Sequence, residues 1–162
     1  MRFEKVKKEC FVNDSMKNGI HTLIDEAYDS IKIPIRKTEG SAAYDFSTPY
    51  DISLMPNERK IVPTGIKAIM DKHEMLLLAP RSSIGIRDGV VFSNSIAYID
   101  SDFANNESDD GDIKLALWNT SDQVVSYNAG ERVAQGMFLK FETTEDDDAS
   151  GKRNGGVGST GK

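Results

Sequence analysis

From Ile33 onward the chain is written in short apolar runs, among them "RKIVP", "GIKAIM", "EMLLLAP", "GVVFSNSIAYI", "DIKLALWN", "QVVSYN" and "RVAQGMFLKF". Gly, Pro, Asn and Asp interrupt these runs at roughly 8–12-residue intervals, which is the pattern of an all-β sandwich or barrel. Upstream the period changes. Ile20, Leu23, Ile24, Ala27, Tyr28 and Ile31 lie on one helical stripe behind a cap-like Asn13-Asp14-Ser15. That spacing predicts one short N-terminal helix over about 15–31.

The remaining composition narrows the class. A chain of 162 residues fits one domain, with 38% hydrophobic and 28% charged residues, ordinary for a soluble globular protein. No apolar run approaches the roughly 18 residues of a membrane span, and "MRFEKVKKEC" shows no apolar core of a signal peptide. Cys10 is the single cysteine, so the cytoplasm is the expected compartment. A net charge of -6 speaks against a general nucleic-acid surface. A bound polyanion would need a few local cations, backbone N–H groups and a metal. Two polar stretches, Ala104 to Asp112 and Glu142 to Asn154, read as mobile because neither can bury enough apolar surface to order itself. The expected organisation is a β domain over 1–141 followed by an arm over 142–162.

Five short segments carry candidate chemistry. "NSIAYIDSDF", Asn94 to Phe103, reads as a hairpin closing on Asp100, Asp102 and an aromatic ring. "APRSSIG", Ala79 to Gly85, puts an Arg and two hydroxyls after an apolar strand, a pattern that suits phosphate oxygens. "SAAYDF" (Ser41 to Phe46) and "GERVAQG" (Gly130 to Gly136) are individually weak, and "RNGGVGSTG" (Arg153 to Gly161) is glycine-rich. Gly156, Gly161 and Lys162 share the spacing of a phosphate-binding Gly-x-x-x-x-Gly-Lys loop. No Ser/Thr or helix completes that motif, so the match is a coincidence of spacing.

Taken in order, the segments resemble the trimeric dUTPase family, nucleotide pyrophosphatases that split dUTP into dUMP and pyrophosphate. Ala42 to Phe46 is similar to the first family motif, Pro80 to Ser83 to the second, Asn94 to Phe103 to the third, Gly130 to Gln135 to the fourth and Arg153 to Gly161 to the fifth. The resemblance implies a jelly-roll-like β-barrel assembling as a homotrimer with active sites shared between subunits. It implies Asp100 as the general base that activates water, a role that suits a carboxylate. By the same resemblance Asn94 and the hairpin around Ile99 read the uracil, and Phe103 lies under the deoxyribose. Arg81, Ser82, Ser83 and Gln135 meet the triphosphate. Asp45 holds Mg2+ through water, and Arg153, Gly156, Val157, Gly158, Ser159 and Thr160 close over the substrate. Ala43 and Ala97 stand where the family has glycines, Phe103 where Tyr is commoner, and Val157 where the arm usually has Phe. Two other readings use the same fold: a dCTP deaminase, whose proton-shuttling Glu is replaced here by Ala116, and a regulatory partner-binding protein.

Overall fold

The computed structural model of the chain describes residues 1–151, 153 and 155. Its eleven strands are β1 (Arg2–Lys5), β2 (Tyr44–Ser47), β3 (Ile52–Leu54), β4 (Arg59–Pro63), β5 (Ile66–Ile69), β6 (Glu74–Pro80), β7 (Val90–Phe92), β8 (Ala97–Asp100), β9 (Lys114–Asn119), β10 (Val125–Tyr127) and β11 (Arg132–Lys140). Its helices are α1 (Lys8–Lys17), α2 (Ile24–Ser30) and α3 (Ser82–Arg87). The protein is thus mostly β, as the interrupted apolar runs predict.

A four-stranded sheet, β2-β11-β6-β8, and a three-stranded sheet, β4-β9-β7, supply the two main walls, with β1-β5 and β10-β3 as two-stranded ribbons. Among the described residues these ladders stay open and none closes into a barrel. The paired strands are antiparallel, and alternation along them decides what is buried. In β6 Leu76 and Leu78 point inward, and in β9 Leu115 and Leu117 do the same. They join Phe46, Val62, Val90, Phe92, Val133 and Ala134 in one core. Gly136 sits where a Cβ would come 3.1 Å from Leu76, Leu78 and Phe46. A larger residue there would push the core apart. No helix of the described residues is long and apolar enough to cross a membrane.

Three expectations change. The single helix over 15–31 is two helices, because the chain turns left-handed at Gly19 (φ +79) and again at Leu23 (φ 54). Asn18 and Gly19 amides close the end of α1 on Asp14, Ser15 and Met16 carbonyls, a C-terminal stop of the usual glycine kind. Asn13, Asp14 and Ser15 are therefore interior to α1 rather than a cap. Ser15 and Asp14 face inward, where Ser15 bonds the Phe11 carbonyl at 2.6 Å and the Tyr50 hydroxyl. Of the expected stripe, Ala27 and Ile31 are buried while Leu23 is 72% exposed at the break.

The second change concerns Asn94 to Phe103. Its two apolar flanks do not pair with each other. β7 pairs with β9 and β8 pairs with β6, so the turn through Ser95 (φ 64) carries the chain from one sheet to the other. The third concerns Ala104 to Asp112. This acidic stretch is an anchored turn whose Asp109, Asp110 and Asp112 are buried. Composition suggested mobility because the sequence does not show which cations lie above those carboxylates.

Candidate active site

Strand register assembles the first part of the site. Gln135 of β11 is the Cα partner of Asp45 on β2 and of Ala79 on β6. Residues opposite one another share a sheet face, so Asp45, Gln135 and Ala79 form one row on the outer face. Two residues on, Met137, Leu77 and Tyr98 form the next row, and Leu139, Met75 and Asp100 the one after. Four distant segments of the sequence, those of β2, β6, β8 and β11, therefore meet on one surface.

At the first row lies a cleft of about 470 Å³ whose lining includes Lys37, Asp45, Arg81, Ser82, Arg132 and Gln135. Arg81 stands where β6 gives way to α3, and Ser82 and Ser83 begin that helix. The Asp45 carboxylate pairs with Arg81 Nε at 3.1 Å and accepts from Arg132 at 2.6 Å. Two guanidinium groups around one carboxylate leave a net positive cleft floor. Arg132 is a cleft residue that the sequence does not single out. In a regular strand positions 132 and 135 face opposite sides, but the register shifts between Arg132 and Ala134. That bulge brings both side chains to the same cleft. Lys37, in the polar lead-in "IRKTEG", is a third lining cation beside Arg81 and Arg132.

The second part of the site lies apart from the first. Asp100 ends β8 at the sheet edge, where its side chain is 59% exposed. From Gln135 to Asp100 the sheet runs four residues along β6 and two strand spacings across, roughly 16 Å between backbones. Arg153 docks here: its Nε donates to Asp102 at 2.8 Å, it pairs with Asp100, and its guanidinium lies 5.8 Å from the Phe103 ring centre. Phe103 itself is buried. Ile99 packs its side chain toward the core, so only its backbone faces the strand edge. Asn94 is exposed and borders a separate cavity of about 470 Å³ beside α1, together with Lys17, Ile61 and Lys114. Gly156, Val157, Gly158, Ser159 and Thr160 lie outside the described residues.

Behind Phe103, the turn 104–112 is tied down by buried ion pairs. Lys114 bridges Asp14 of α1 and Asp109 at 2.7 Å each, and Lys67 of β5 holds Asp110 at 2.9 Å and Asn105 at 2.7 Å. Burial would raise the Asp109 carboxyl, but its bonds from Lys114 and Asn106 prevail and hold it below the usual range. Asp112 shows the opposite balance. Burial pushes it up to about 8 against the Lys114 charge and a 2.8 Å bond from the Gly65 amide.

Fold and site together define a mostly β protein with a cationic, phosphate-suited cleft on one sheet face and an acidic strand end beyond it. Comparison places it within that class. The chain belongs to the dUTPase family, whose model matches residues 29–161. It is 41% identical over 133 residues to the deoxyuridine 5'-triphosphate nucleotidohydrolase of Lactococcus lactis subsp. lactis (strain IL1403), covering 81% of this chain and 89% of that one. The crystal structure of dUTPase from Streptococcus mutans is 31% identical and superposes with a TM-score of 0.71 over 90% of this chain and 99% of that one. A mutant dUTPase from phage phi11 of Staphylococcus aureus, whose structure details coordination of a structural Mg(II) ion, shares the fold at 18% identity. Its TM-score is 0.60 over 74% of this chain and 90% of that one.

Proposed function

We propose that this protein is a dUTP diphosphatase that hydrolyses dUTP to dUMP and pyrophosphate. The observation that carries the reading is convergence: Asp45, Arg81, Ser82, Arg132 and Gln135, from three separated motifs of the family, line one cleft. Guanidinium, amide and hydroxyl donors are the groups that hold phosphate oxygens. Arg81, Ser82, Ser83 and Gln135 bind the triphosphate chain. Asp100 takes a proton from water as its oxygen attacks the α-phosphorus; the bond to the α–β bridging oxygen breaks and pyrophosphate leaves. Phe103 supports the deoxyribose and excludes a 2′-hydroxyl, while Asn94 and the backbone at Ile99 read the uracil edge.

Asp45 fits a metal held through water. Its two oxygens each accept one guanidinium contact, and a carboxylate offers about four lone-pair sites. Mg2+ takes many of its ligands from phosphate and water, so one carboxylate beside the triphosphate cleft suffices for an outer contact. When bound, the metal offsets phosphate charge.

A homotrimer of jelly-roll subunits with shared active sites belongs to the same proposal. The 16 Å gap is bridged by an apolar outer face of Met75, Leu77, Met137, Leu139 and Tyr98, the last 63% exposed. Covering that face with a second copy would hide the apolar rows and bring one copy's Asp100 to its neighbour's cleft. The exposed stretch 142–151 leads to the arm that reaches a third copy. The cytoplasm is the proposed compartment, and dUTP rather than nucleic acid the ligand.

The test is incubation with dUTP, UTP, dTTP or dCTP and Mg2+, following pyrophosphate and ammonia. Pyrophosphate should come from dUTP, and Asp100→Asn should slow it by about 10²- to 10⁴-fold, the usual weight of a general base. No pyrophosphate from dUTP, an unchanged Asp100→Asn rate, or ammonia from dCTP would each overturn the reading.

A further inference from the structure

The turn 104–112 follows directly on Asp100, Asp102 and Phe103, and its bonds run back to them. Lys114 Nζ donates to Asp109 Oδ2 at 2.7 Å, while Asp109 Oδ1 accepts from Asn106 Nδ2 at 2.6 Å. The same Nδ2 donates to the Phe103 carbonyl at 2.9 Å, and the Phe103 amide donates to the Asp100 carbonyl at 3.1 Å. The Asn106 orientation is settled by its other atom: Oδ1 accepts from the Ser108 amide at 2.9 Å, the Ser108 hydroxyl at 2.8 Å and the Asp109 amide at 3.2 Å. Every polar atom of that amide is thus committed.

The far end of the chain of bonds is fixed to the body of the protein. Lys114 also pairs with Asp14 of α1. Asp110 pairs with Lys67 of β5 and accepts from the Lys7 amide at 2.9 Å, just before α1. Gly111 (φ +84) closes the turn so tightly that a Cβ there would lie 2.6 Å from Ala104 Cα and 2.8 Å from the Phe103 carbonyl oxygen. A turn anchored on α1, β5 and β9 and pressed against Phe103 has little freedom to let that ring shift.

Resting on the dUTPase reading of Asp100 and Phe103, we infer that Asn106 is a positioning residue for the reaction, transmitting the Lys114–Asp109 anchor to the Phe103 backbone and so setting the sugar platform and the Asp100 turn. Asn106 does not line the cationic cleft. It acts through the carbonyl of the residue whose ring meets the deoxyribose, so its loss should blur the distinction between dUTP and UTP as well as slow turnover. A displacement of a reacting group by about 1 Å can cost about 10²-fold.

Asn106→Ala and Asn106→Asp test this in parallel in the full-length protein, with Glu107→Gln, an exposed neighbour, as the control. Asn106→Ala removes the donor; Asn106→Asp keeps the shape but puts a carboxylate against Asp109 and the Phe103 carbonyl. The kcat/KM values for dUTP and UTP are compared, alongside thermal melting. The expected result is a dUTP-over-UTP preference reduced about tenfold or more in a folded variant, mostly through kcat for dUTP, with Glu107→Gln at the parent value. A purely structural role would lower the melting temperature and leave that preference intact, and this outcome overturns the inference. An Asp100→Asn protein that still releases pyrophosphate would instead overturn the active-site reading on which it rests.

Discussion

Replacing Asp112 by Asn should change how stability depends on pH more than it changes stability at any one pH. Asp112 is fully buried, its Oδ1 accepts from the Gly65 amide, and its Oδ2 has no hydrogen-bond partner among the described residues. Burial raises its pKa to about 8 from 3.8. Between those values the folded state carries a proton that the unfolded state has released. The unfolded state then binds fewer protons, so unfolding free energy falls as pH rises through this window and levels off above about 8. The slope is roughly 1.4 kcal/mol per pH unit for one such group. Asn cannot titrate, so the parent-minus-variant difference should shift by about 2–3 kcal/mol between about pH 5 and pH 7. The Asn amide leaves its own buried donor unpaired, a pH-independent offset of about 1–3 kcal/mol. Urea unfolding at matched protein concentration across that range reads the difference directly. Parallel pH profiles for the two proteins would refute the reasoning and mean that Asp112 is ionised in the fold.

Two further outcomes follow from the sheet face. Arg132→Ala removes a 2.6 Å partner of Asp45 and a cation of the cleft; steady-state kinetics should show KM for dUTP raised by about 10-fold or more, the scale of a charge-assisted hydrogen bond, and an unchanged KM would remove Arg132 from the phosphate site. Tyr98→Glu puts a charge in the middle of the apolar rows. Light scattering should show loss of the proposed trimer together with loss of dUTP hydrolysis, whereas a fully active monomer would refute the shared site.

What the sequence determined was the set of local features. Short apolar runs cut by turn residues could only be strands, and five ordered motifs were enough to point to the family and its reaction. Those signals survive in the linear text because each depends on neighbours a few residues away. The single helix over 15–31 failed for a similarly local reason: an apolar stripe was legible, but the left-handed turns at Gly19 and Leu23 that break it were not. Tertiary structure alone decided the rest. The bulge after Arg132 sets which side chains share a face and brings Arg132 to the cleft beside Gln135. The stretch "ANNESDDGD" reads from the sequence as a mobile acidic loop because it holds too little apolar surface to order itself. Lys114 opens β9 just after the turn, but Lys67 lies on β5, 43 residues before Asp110; only the fold brings the Lys67 ammonium to Asp110 at 2.9 Å and joins Lys114 to Asp14 of α1 as well as to Asp109. Charges that composition counts as solvent-facing thus become the anchor beneath Phe103, because the Lys67–Asp110 and Lys114–Asp14 pairs form across space between segments far apart in the chain.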